Sequence, residues 1–148
     1  MKKLAYYPIF LVVVLYCVKA INIAFEIHKR IIFTLNPTDY LKSIFFLFKN
    51  GMLNEILLLI LGLIGFMFRS KLGYVFSLIY PFYVICFLIV KTSFTHLWGQ
   101  LLFAVISLLL LSLPITWKYF KSLKKDYFKI MAIAFTFGIA IAIIDKIL

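Results

Sequence analysis

Two stretches of the chain, 72–90 and 97–117, contain no charged side chain. Each matches the roughly 20 residues that a helix needs to cross a hydrocarbon core ~30 Å thick. Three further runs, 4–18, 52–68 and 130–144, are nearly as apolar but shorter or polar at one edge. The pattern predicts an all-α fold, a polytopic transmembrane helix bundle in one domain, with spans at 5–26, 52–68, 73–90, 98–117 and 130–147. Two segments between the spans read instead as short amphipathic helices lying in the interface. In 38–50 the apolar Ile44–Phe48 run is flanked by Lys42 and Lys49. In 118–129 Phe120, Leu123 and Tyr127 take one side, and Lys118, Lys121, Lys124, Lys125 and Lys129 take the rest.

Punctuation refines this reading. Arg69-Ser70-Lys71 is so short a connection that the second and third spans must be antiparallel neighbours. Pro81 removes a backbone donor and is expected to kink the third span, whereas Pro114 is expected to bend only the last turn of the fourth. Lys2 and Lys3 precede the first apolar run, and Val18-Lys19-Ala20 loosely resembles a signal-peptidase site. Cleavage after residue 20 leaves four spans. The charge of Lys19, with apolar residues continuing from Ile21 to Phe25, favours a retained first helix.

Composition excludes a water-soluble core: 66% of residues are hydrophobic, 14% are charged and the mean hydropathy is +1.12. The 19% aromatic content suits lipid-facing surfaces and interfacial belts, with Trp98 and Trp117 at the two edges of the fourth span. A net charge of +11 does not point to nucleic acid, because the cations sit in short loops where they set topology and meet anionic headgroups. With five crossings, nine cations fall on the side of Lys2, Lys3, Arg69, Lys71 and the 118–129 lysines, and six on the other. The positive-inside rule then makes the N-terminus cytoplasmic. The Ile, Phe, Lys and Asn bias suggests an A·T-rich bacterial genome, hence a bacterial cytoplasmic (inner) membrane.

Polar residues within spans are costly and informative. Lys19, Asn22 and Glu26 follow i, i+3, i+7 spacing on one helical face. Lys19 and Asp145 each lie 15 residues into their helices, about 22 Å along, which suggests an ion pair. Asn54, Glu55, His96 and Gln100 reach the same outer third from the opposite direction. The group reads either as an ion-binding vestibule or as snorkelling and mutually paired side chains that fix helix register. Ala134, Gly138 and Ala142 form a small-residue face, suited to packing within the chain or to self-association.

Catalytic signals are sparse. Cys17 and Cys86 lack Cys-x-x-Cys spacing, His28 and His96 lie at span ends, and no metal, phosphate-loop or nucleophile motif occurs in the sequence. No cofactor or metal is expected. Three classes follow: a non-catalytic interaction protein with a membrane-protein partner or homo-oligomer, an oligomeric channel or small transporter, and, least supported, an intramembrane enzyme.

Overall fold

The computed structural model describes residues 6–32, 42, 52–91, 98–121 and 124–147. These are helical apart from short turns, with no strand among them. The helices are α1 (Tyr7–Ile32), α2 (Met52–Met67), α3 (Lys71–Lys91), α4 (Trp98–Ser112), α5 (Pro114–Tyr119) and α6 (Lys124–Ile147). Within them, Tyr7–Lys29, Lys71–Val90 and Asp126–Ile147 are long and apolar enough to cross a membrane. Met52–Met67 and Trp98–Ser112 are apolar but shorter. The proposed interfacial helix over 38–50 lies outside the described residues, Lys42 apart.

Helices α1 to α4 form a ring in which each packs on the next and α4 returns to α1, while α6 packs chiefly along α3. The centre is therefore α3, with Tyr74, Leu78 and Tyr80 wholly buried. Contact between α2 and α3 is close because the turn is short and small residues face each other. Ser70 Oγ accepts the Gly73 N–H at 3.2 Å, capping α3, and a side chain on Gly65 would meet the Gly73 carbonyl. The interior is aromatic. Tyr16 contacts Phe66, Tyr80 and Phe103 with ring centroids 5.3–6.1 Å apart, and Phe120 stacks on Tyr74 at 5.1 Å. Much of the aromatic content thus fills the core rather than facing lipid, because rings pack well into the gaps between helices.

The two prolines behave differently. Helix α3 runs unbroken across Pro81, and the Ser77 carbonyl, which a residue with an N–H at 81 would satisfy, accepts the Tyr16 hydroxyl at 2.7 Å. At Pro114 the expected bend is a break. Leu113 is extended (φ −64°, ψ 139°), as the residue before a proline prefers, and Pro114 opens α5. The freed Leu110 carbonyl accepts Thr116 Oγ1 at 2.8 Å. Span 98–117 is thus two helices, and the Leu111 carbonyl at the end of α4 is met by the Tyr74 hydroxyl at 2.7 Å.

The amphipathic helix expected over 118–129 is likewise replaced. Lys118 belongs to α5, Lys121 lies in a turn at φ 53°, and Lys124, Lys125 and Lys129 begin α6. Phe120 is wholly buried against Tyr74 and Phe66 instead of lying on a lipid surface, and its packing forces the chain to turn there.

Candidate functional site: a polar cluster joining four helices

Neighbour contacts fix the direction of each helix. At one end of the bundle Tyr6, Arg69, Tyr119, Lys71 and Asp126 come together. At the other end Lys19, Asn54, Glu55 and Asp145 gather. So α1, α3 and α6 run one way and α2 the other. The second end holds the polar cluster.

Glu55 stands in the first turn of α2, where the helix dipole favours a carboxylate. Its Oε1 lies 3.2 Å from Lys19 Nζ on α1 and accepts the Tyr80 hydroxyl of α3 at 2.9 Å. Asp145 sits near the C-terminus of α6, where the dipole opposes a negative charge, and is 6% exposed. Two neutral donors offset that cost: the Tyr83 hydroxyl at 2.5 Å on Oδ2, and the Asn54 side-chain amide on Oδ1. Asn54 and Glu55 are adjacent on α2, and Tyr80 and Tyr83 are one turn apart on α3. These two helices therefore join both carboxylates into one network.

The expected Lys19–Asp145 pair does not form. Lys19 pairs with Glu55 instead, because α1 adjoins α2 whereas α6 lies against α3. Helix depth places both residues at one level but says nothing about which helices are neighbours. Asn22 and Glu26 are exposed on α1 and stay outside the network, although they share a face with Lys19. Gln100 is half-buried, and His96 lies outside the described residues. Tyr80 and Tyr83 are not among the residues that depth and helical spacing single out. Their signal was available: a tyrosine hydroxyl in a charge-free span needs a partner.

Ala134, Gly138 and Ala142 are buried along α3, and a side chain on Gly138 would stand 2.8 Å from the Tyr83 nitrogen. This face packs within the chain, the first of the two uses its small residues suit. Among the described residues no three of His, Cys, Asp and Glu come together as metal ligands, and Cys17 is exposed while Cys86 is buried. No family model matches the chain, and no curated protein or solved structure matches it.

Proposed function

We propose that this is a non-catalytic, multi-pass membrane protein that works by packing against a protein partner in the bilayer, as an accessory subunit or an immunity-type protein. One observation carries the reading: within the cluster the polar groups are matched to one another, leaving Lys19, Glu55, Tyr80, Tyr83, Asn54 and Asp145 committed to holding helices together. Next to the cluster the interior is packed with the aromatic rings of Tyr16, Phe66, Tyr74 and Phe120, which favours a solid bundle over a pore. Large apolar side chains on the outward faces of α1 and α6, among them Phe10, Ile21, Phe137 and Ile144, suit lipid or a partner helix. The alternating helix directions support five crossings, with α2 and the α4–α5 pair as the short ones. The basic end is then cytoplasmic, in a bacterial inner membrane.

A second reading, an oligomeric channel or small transporter with an outward vestibule, draws on the cluster's charge. Two carboxylates meet one ammonium, and the Lys19 and Glu55 side chains keep 18% and 14% exposure. Liposome flux beside co-purification from native membranes tests both. A stable membrane-protein partner and no flux by the purified chain is the result expected; ion flux by the chain alone overturns the first reading.

A further inference from the structure

The end of the bundle opposite the polar cluster carries chemistry that the packing does not consume. The α2–α3 turn and the C-terminal end of α5 lie side by side there, joined by Tyr119, whose hydroxyl donates to the Phe66 carbonyl at 2.9 Å. Arg69 projects between two rings, its guanidinium 5.1 Å from the centroid of Tyr119 and 6.0 Å from that of Tyr6. Those rings hold the cation in place while leaving its donors unspent, since a ring face accepts charge but no bidentate hydrogen bonds. Among the described residues Arg69 meets no carboxylate. Among the described residues the acid at this end is Asp126, which is paired with Lys71 at 2.6 Å. Lys118 and Lys121, on the same turn as Tyr119, are exposed.

We propose that this end is a binding site for anionic phospholipid headgroups, with Arg69 as the fixed phosphate contact and Lys118 and Lys121 as its flanking cations. Three observations favour a lipid surface. The cations exceed the acids, they occupy two turns at one level, and apolar helix faces that suit acyl chains continue directly below them. Arginine presents a planar fork matched to phosphate oxygens, and a position fixed by two rings lowers the cost of ordering it. The site differs from a diffuse basic helix because its central cation comes from a different turn than the lysines. It does not depend on which protein partner the bundle binds.

Trp117 stands beside this site and Trp98 at the far end of α4, so a Trp98→Phe chain carries a single local reporter. The full chain is reconstituted in phosphatidylcholine vesicles containing brominated phosphatidylglycerol or brominated phosphatidylcholine at equal mole fraction, and quenching of Trp117 is compared. The expected preference for the anionic lipid is at least about fivefold, the factor each cation near a charged surface contributes. It shrinks severalfold in Arg69→Gln and also as salt is raised. Arg69→Lys should recover only part of it, since an ammonium lacks the fork. If circular dichroism shows Arg69→Gln misfolded, the exposed Lys118→Gln/Lys121→Gln variant decides in its place. Equal quenching by the two lipids overturns the proposal, as does an undiminished preference in a folded variant. Loss of the preference on adding inorganic phosphate at constant ionic strength also overturns it, assigning the cations to a soluble anion.

Discussion

Two ion pairs among the described residues stand at opposite ends and in opposite circumstances. Lys19–Glu55 keeps 18% and 14% of its side-chain surface and adds a tyrosine hydroxyl, whereas Lys71–Asp126 is shorter, at 2.6 Å, yet its lysine is 53% exposed. Length is therefore a poor guide to what a pair contributes. An exposed pair loses most of its attraction to water and salt, while an enclosed one leaves an uncompensated charge when broken.

The largest effect should come from Glu55→Ala, which strands Lys19 and the Tyr80 hydroxyl together. We expect a loss of about 2–3 kcal/mol, discounted from a fully buried pair because some surface remains. Unfolding in mixed micelles, followed by tryptophan fluorescence, measures it; a loss below about 0.5 kcal/mol would place the pair with the exposed one. Double-mutant cycles sharpen the contrast. Lys19→Met with Glu55→Gln should couple by about 1 kcal/mol, whereas Lys19→Met with Asp145→Asn should be additive within about 0.5 kcal/mol. Strong coupling in the second cycle would restore the pairing that depth alone suggested. Tyr83→Phe, which removes one neutral donor from Asp145, should cost about 0.6–1.7 kcal/mol, the range of side-chain hydrogen bonds inside membrane proteins. Smallest of all, Lys71→Gln should cost under about 1 kcal/mol and vanish at high salt. A salt-independent cost there would erase the distinction between the ends.

What was legible in the sequence was whatever depends on one helix at a time. Hydropathy located α2 and α3 nearly to the residue, and the short Arg69–Lys71 turn made them antiparallel neighbours. Depth correctly brought Lys19, Glu55 and Asp145 to one level. Lateral arrangement is another matter: nothing in the period of α1 reveals that its neighbours are α2 and α4, so Lys19 was given the wrong partner. Local breaks were also hidden. The lysine spacing in 118–129 satisfies a helical wheel, but burial of Phe120 against Tyr74 outweighs that amphipathicity and turns the chain at Lys121. A proline signal is likewise ambiguous alone, since Pro81 and Pro114 differ in whether a hydroxyl from elsewhere meets the freed carbonyl without a break.

The bond from Tyr16 to the Ser77 carbonyl joins residues 61 positions apart. In a chain made from its N-terminus at ~5–20 residues per second, α1 waits about 3–12 s for that acceptor to exist. Throughout that interval it carries an unmatched hydroxyl, and until residue 55 is made its Lys19 ammonium also lacks a carboxylate. The first helix is long and apolar enough to cross a membrane, but alone it leaves these two polar groups unmatched. Its polar groups find their partners only once α2 and α3 have been made, so the order of synthesis sets when this helix is fully matched.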